Sequence, residues 1–176
     1  KSCLKCIRFM ANNSFSQGGY KTTKERSKAM AAIHSHNTKP EFIVRKLLFH
    51  NGYRYRLHYK KLPGSPDIVL TKQKTAIFIN GCFWHYHGCH ISHIPKSNSK
   101  FWIDKIKRNL GRDKKNVAEL LERGWRVLII WECALFTNSQ LSNNELLFRI
   151  KEFLASNALS NFIIGNLKDD CNQTNL

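Results

Sequence analysis

Asn80-Gly81-Cys82-Phe83-Trp84-His85-Tyr86-His87-Gly88-Cys89 packs cysteines, histidines and aromatic residues into one short stretch. Cys82, Cys89 and one intervening histidine offer three ligands to Zn²⁺, which prefers tetrahedral Cys and His coordination. Spacing alone does not choose among His85, His87 and the nearby His90. The best candidate for a fourth ligand is Cys133. It follows an apolar run, Val127 to Trp131, so a strand end can deliver it to the loop. Four protein ligands would make the zinc structural, because catalytic zinc keeps an open position. Phe83 and Trp84 lie inside the loop that the metal would fix. Large apolar side chains there are either plugs of the loop's own core or wedges aimed at a partner.

The segments on either side read as a mixed α/β chain. Asp67-Ile68-Val69-Leu70 is a short strand headed by an acid, directly after the turn Leu62-Pro63-Gly64-Ser65-Pro66. Thr75 to Ile79 returns as a second strand and ends at Asn80. Upstream, Thr38-Lys39-Pro40-Glu41 has the pattern of a helix start, with Thr38 as cap, Pro in the first turn and Glu41 in a capping box. Ile43, Val44, Leu47 and Leu48 follow with helical period, and Gly52 ends the helix. Tyr53 to His58 alternates as a half-buried strand would. Downstream, Phe101 to Arg123 is a long amphipathic helix with a face dense in Lys and Arg, stopped by Gly124. Trp125 to Trp131 is apolar enough for the middle of a sheet. Asn143 or Asn144 can cap a last helix carrying Leu146, Leu147, Ile150, Phe153 and Leu154. Ser156 to Leu176 has no strong pattern. The order predicts one α/β domain with a central mixed sheet flanked by helices.

The 176 residues carry 29 Lys and Arg against 12 Asp and Glu, a formal charge of +17. That balance points to a polyanion as partner. No apolar run approaches the roughly 18–20 residues of a membrane-spanning helix, so no membrane partner is expected. Lys1 to Met10 is broken by Lys5 and Arg8 and does not read as a signal peptide, and Met10 is a candidate natural start. A cytoplasmic, reducing setting follows, in which clustered Cys and His mean metal sooner than disulfide. Cys3-x-x-Cys6 is half of a zinc motif with no matching pair nearby. The stretch up to Lys21 is polar and basic and reads as a flexible tail. Ser27 is placed to cap a short helix carrying Met30 and Ile33.

Asp67 can hold Mg²⁺ through oxygen, with phosphate oxygens and water completing the shell. Taken alone, Pro-Asp is ordinary turn chemistry, Glu41 is a helix cap, and Asp113 is an ion-pair partner for Arg112, Lys114 and Lys115. Together, acids set among basic residues suit a phosphodiester site in a DNA-binding face. His85 neighbours the loop and can transfer protons near neutral pH.

Several collinear segments resemble the very-short-patch-repair endonucleases, the Vsr family. They are Ser27-Lys28-x-Met30, Leu62-Pro63-Gly64-x-Pro66-Asp67, Gly81-Cys82-Phe83-Trp84-His85, Phe101-Trp102-x-x-Lys105-Ile106, Arg112-Asp113, and Gly124 to Ile129 with Trp131-Glu132-Cys133. The likeness runs from about Thr23 to Leu135. It implies a restriction-endonuclease-like fold, a structural zinc, and Mg²⁺-dependent nicking of double-stranded DNA 5′ of the thymine in a T·G mismatch. Such mismatches arise when 5-methylcytosine deaminates. By position, Asp67 would hold Mg²⁺, Glu41 and Asp113 would orient metal-bound water, and His85 would assist proton transfer. Cys82, His87, Cys89 and Cys133 would hold zinc. Phe83, Trp84 and Met30 would wedge into the base stack. Asn80 stands where the family pattern has a His, and Asn can hold a water but cannot titrate.

The resulting expectation is a monomer with residues 1–22 as tail, 23–156 as the endonuclease domain and 157–176 as a C-terminal tail. Two other readings fit parts of the pattern. One is a zinc-stabilised DNA-binding module without catalysis, which leaves Asp67, Glu41 and Asp113 without work. The other is a site-specific nuclease of a restriction-modification system on the same fold.

Overall fold

The computed structural model describes residues 36–136, 138 and 140–165. The expected roles of Cys3, Cys6, Ser27 and Met30 lie outside the described residues, as does the N-terminal tail.

Helix α1 spans Lys39–His50. The capping box is present: the Thr38 N–H and hydroxyl both donate to Glu41 Oε1, at 3.1 and 2.9 Å. The chain leaves the helix through Gly52 at φ +81°, a left-handed conformation that costs glycine nothing. Strands β1 (Arg56–Leu57), β2 (Ile68–Leu70) and β3 (Thr75–Asn80) form an antiparallel meander. β1 is shorter than the alternation from Tyr53 predicts. Tyr53 N–H instead bonds to the Leu48 carbonyl and closes the helix end. A one-turn helix α2 (Cys82–His85) and the long helix α3 (Ser99–Glu122) follow. β4 (Arg126–Trp131) then pairs parallel with β3. Helix α4 (Asn143–Ala155) is capped by Ser142, whose side chain accepts from Glu145 N–H, not by Asn143 or Asn144.

The sheet order is β1-β2-β3-β4-β5, the last strand being β5 (Ser160–Ile163), parallel to β4. The sequence reading ends the domain at 156 and places these residues in a tail; the sheet continues past that boundary. Only Ile163 of this edge strand is buried, so period-2 patterning had almost no signal to offer.

Alternation along the strands divides the core in two. Ile68, Leu70, Ile77, Leu128 and Ile130 pack with Val44 and Leu48 of α1 and Leu146, Ile150 and Phe153 of α4. Val69, Ala76, Val127, Ile129 and Trp131 pack with Leu120 of α3 and with Cys82 and Cys133. Helices therefore flank both faces of a mixed sheet, and β4 is buried on both, as its apolar run requires.

Candidate active site and metal cluster

The parallel register of β3 and β4 sets Asn80 beside Trp131. Each strand then runs two residues further to a cysteine, so Cys82 and Cys133 leave the sheet side by side. Cys133 N–H lies 3.3 Å from Cys82 Sγ. His87 Nε2 lies 3.2 Å from Cys82 Sγ and 3.4 Å from Cys133 Sγ. Ligand atoms of Cys82, His87, Cys89 and Cys133 all fall within 4.8 Å of one another. A tetrahedral zinc with ordinary bond lengths separates S and N ligands by about 3.6 Å, so the donor set fits zinc. Among the three histidines left open by spacing, His87 is in the cluster, while His85 faces away to Asp113. Contact with Cys82 and with His87 pulls the Cys133 thiol down, while the same sulfur–sulfur contact and burial push Cys82 up. The pair thus shares one proton, which a bound metal ion would displace.

A cleft of about 930 Å³ opens beside this cluster and is lined by Glu41, Asp67, Asn80, His85 and Asp113. These are the residues expected to do the chemistry. They come from α1, the head of β2, the end of β3, α2 and α3. Asp67 is half-buried, and its Oδ2 accepts from the Ile79 N–H at 2.8 Å. Burial pushes its carboxyl up to about 6; the Ile79 hydrogen bond opposes this, and the Glu41 charge reinforces it.

Two acids of the cleft have close side-chain partners. Asp113 Oδ2 sits 2.5 Å from His85 Nδ1, across 28 residues of chain. Glu41, 2% exposed, accepts from Thr38 and from Asn37 N–H, and it forms a buried ion pair with Arg45. Arg45 also reaches Asn37 Oδ1 at 2.7 Å and His58 Nε2 at 2.9 Å. His58 is held below its ordinary pKa by burial, with Glu41 opposing and Arg45 and His36 reinforcing. Its ligand atom, those of Glu41 and Asp67 included, falls in a second group within 4.8 Å. That set of two carboxylates and an imidazole fits a divalent cation.

Glu132 is a further cleft residue missed by the sequence reading. Its Oε2 accepts from Cys82 N–H at 3.2 Å, tying the start of α2 to the end of β4. Its place beside Cys133 was the only available signal. Phe83 and Trp84 are neither core plugs nor free: both are half-buried, at 5.0 Å from each other, and each packs against Trp102 of α3. Lys105 Nζ lies 4.8 Å from the Trp84 ring, and Asn109 Nδ2 donates to the Trp84 carbonyl at 2.9 Å. With Asp113, these residues form an i, i+4, i+8 stripe along one side of α3. The stripe grips consecutive residues of the turn, Trp84 and His85.

A basic chain with a nuclease-like acid cleft next to a Cys/His cluster defines a class of DNA-cutting enzyme, and comparison with known proteins identifies the family. The profile of the family described as DNA mismatch endonuclease Vsr matches residues 20–91. The chain is 54% identical to the type II nicking enzyme V.NmeAIP of Neisseria meningitidis, over 65% of this chain and 81% of that protein. It is 47% identical to the type II nicking enzyme V.XorIIP of Xanthomonas oryzae, over 64% of this chain and 82% of that one. It is 39% identical to the DNA mismatch endonuclease Vsr of Escherichia coli, over 77% of this chain and 86% of that one. The chain belongs to the Vsr family and is a DNA endonuclease. The reading as a binding module without catalysis falls with this membership.

Proposed function

We propose that this endonuclease nicks one strand of double-stranded DNA on the 5′ side of the thymine in a T·G mismatch, as a monomer, with Mg²⁺ at Asp67 and a structural zinc. The observation that carries the reading is the convergence of Asp67, Glu41, Asn80, His85 and Asp113 in one cleft, next to the aromatic pair Phe83 and Trp84. Glu41 on α1 and Asp67 at the head of β2, beside a mixed sheet, agree with a restriction-endonuclease-like fold. The single domain starts near residue 23 and includes β5.

A divalent ion on Asp67 would polarise the scissile phosphate and acidify the attacking water. Asp113 holds His85 by Nδ1, which leaves Nε2 as the atom that takes or gives a proton. Asp113 thus acts through His85, and Glu41 supplies fixed negative charge beside Asp67. Asn80 ends β3 at the cleft and can hold a water without titrating. Cys82, His87, Cys89 and Cys133 would hold zinc and fix the turn, so that Phe83 and Trp84 enter the base stack with little ordering cost. Met30 belongs to the same wedge in this proposal. Lys and Arg contacts to phosphates supply most of the affinity, and in this proposal the enzyme works on DNA in the cytoplasm.

Two of the relatives carry the name type II nicking enzyme, which favours a second reading: service beside a restriction-modification system. A nicking assay with Mg²⁺ on matched and T·G duplexes tests the first reading. Nicking confined to T·G supports it; equal nicking of matched sites overturns mismatch specificity and leaves the second.

A further inference from the structure

We propose that Glu132 is a positioning residue for the turn α2: its carboxylate sets the angle at which Trp84 and His85 enter the cleft, without touching DNA itself. The proposal rests on Trp84 being a wedge and His85 a proton-transfer group, as argued above.

Helix α2 is one turn long and begins at Gly81, which has no side chain with which to satisfy the first N–H groups. The acceptor comes from 50 residues away: Glu132 Oε2 accepts from Cys82 N–H at 3.2 Å. That N–H shares a planar peptide unit with the Gly81 carbonyl. The same carbonyl accepts from Trp84 N–H at 3.1 Å and from His85 N–H at 3.2 Å. Holding the N–H edge of this plane therefore aims its carbonyl edge, and the carbonyl carries both functional residues. A glycine beside the plane leaves it free to rotate, so the restraint has to come from outside the turn.

Packing puts Trp84 in the same place. A Cβ on Gly81 would lie 3.2 Å from Trp84 Cδ1 and 3.6 Å from Glu132 Oε2. The indole edge and the carboxylate thus meet over one glycine. Cys82 is held a second time, its Sγ lying 3.3 Å from Cys133 N–H. Glu132 and Cys133 are consecutive, so the end of β4 grips Cys82 by both its backbone and its side chain. Through these adjacent residues the Cys/His cluster and the aromatic turn are joined.

The charge of Glu132 argues for more than packing. The residue lines the cleft, and among the described residues it forms no ion pair. An unneutralised carboxylate repels the phosphates that a chain of +17 is suited to bind. The hydrogen bond explains its place. A carboxylate is an acceptor only, and a backbone N–H bonds a charged acceptor more strongly than a neutral one.

The test uses the zinc-loaded full chain and two conservative variants. Glu132→Asp keeps the charge but withdraws the carboxylate by one methylene, out of reach of Cys82 N–H. Glu132→Gln keeps an acceptor at the same reach and removes the charge. Single-turnover nicking, the ratio of T·G to matched affinity, and zinc content are measured for each. Glu132→Asp should lose roughly tenfold in both rate and preference, the scale of one hydrogen bond to a charged group. Its zinc content and matched-duplex affinity should stay at the wild-type level. Glu132→Gln should restore most of the loss, to within about threefold of wild type. When Glu132→Asp is combined with Trp84→Ala, preference should fall no further than in Trp84→Ala alone, because both act through one ring. Wild-type rate and preference in Glu132→Asp overturn the proposal. So do a Glu132→Gln variant as impaired as Glu132→Asp, zinc loss accompanying the lost preference, or additive losses in the combined variant. If Trp84→Ala alone keeps full preference, it is the wedge reading that fails, and the nicking rates of the two Glu132 variants decide the proposal through His85.

Discussion

Cys82, His87 and Cys89 lie within one turn and its exit, and only Cys133 has to be brought from afar. Glu41 lies on α1, His58 just after β1 and Asp67 just before β2, and no two of them are neighbours in sequence. The first group is soft, its two cysteines nearest the sheet are buried, and it has four donors, which suits a metal that never leaves. The second is of mixed hardness, borders the cleft and is threaded by Arg45. In the proposed reading, the local cluster, which spacing can specify, serves structure, and the dispersed one, which depends on the whole fold and borders the cleft, serves chemistry.

The widest separation between the two groups is expected from Asp67→Asn. It removes a hard anionic ligand and almost no volume, so nicking should fall by several orders of magnitude. Duplex binding and zinc content should stay near wild type, because affinity comes from phosphate contacts. Wild-type nicking rates in this variant would contradict the division of labour. Cys133→Ser attacks the other side. The wild type should carry about one tightly held zinc per chain, as a four-ligand site does. The variant should lose it together with roughly 10 °C or more of melting temperature, since metal binding and folding are coupled. Folded, active protein free of zinc by elemental analysis would end the structural role of the cluster.

Asp113→Asn probes the link between the groups. The amide keeps the shape but no longer fixes the charge partner of His85, so nicking should drop about a hundredfold. An unchanged nicking rate would reduce the contact to packing. Trp84→Ala should keep zinc, fold and salt-sensitive binding, yet lose roughly tenfold or more in preference for T·G over matched duplex, since unstacking costs a few kcal/mol per step. An unaltered preference in a folded, zinc-loaded variant excludes Trp84 as the wedge.

The smallest effect is on stability. Asp67 sits near 6 in the fold, against 3.8 unperturbed. The folded state therefore favours the protonated acid. The metal-free protein has this group's full stability below about pH 4 and loses it as pH rises through 6, by about 3 kcal/mol at most. Asp67→Asn should accordingly melt a few degrees higher than wild type at pH 7.5, with the gap closing at pH 4. A gap that persists at pH 4 would assign it to something other than ionisation.

Much of this plan is written in short-range pattern. The capping box at Thr38 and Glu41, the long amphipathic helix and the apolar β4 run are local features, and each appears where its periodicity places it. Cys133 could be nominated because a strand end is a predictable point of delivery. β5 escaped, because a four-residue edge strand with one buried side chain carries no period to read.

The sequence by itself determined which residue types this protein has for its chemistry: a cysteine and histidine set at zinc spacing, a carboxylate heading a strand, aromatic residues on a turn, and a strong positive charge. The tertiary structure alone decided how they are partnered. Strand register put Cys82 against Cys133 and His58 against Asp67, and the docking of α3 gave Asp113 to His85. The reason is physical. Periodicity and capping act over a few residues and leave their mark in the local sequence, whereas a side chain's partner is set by register and packing between segments tens of residues apart, where many pairings share the same pattern and only the packed core selects one.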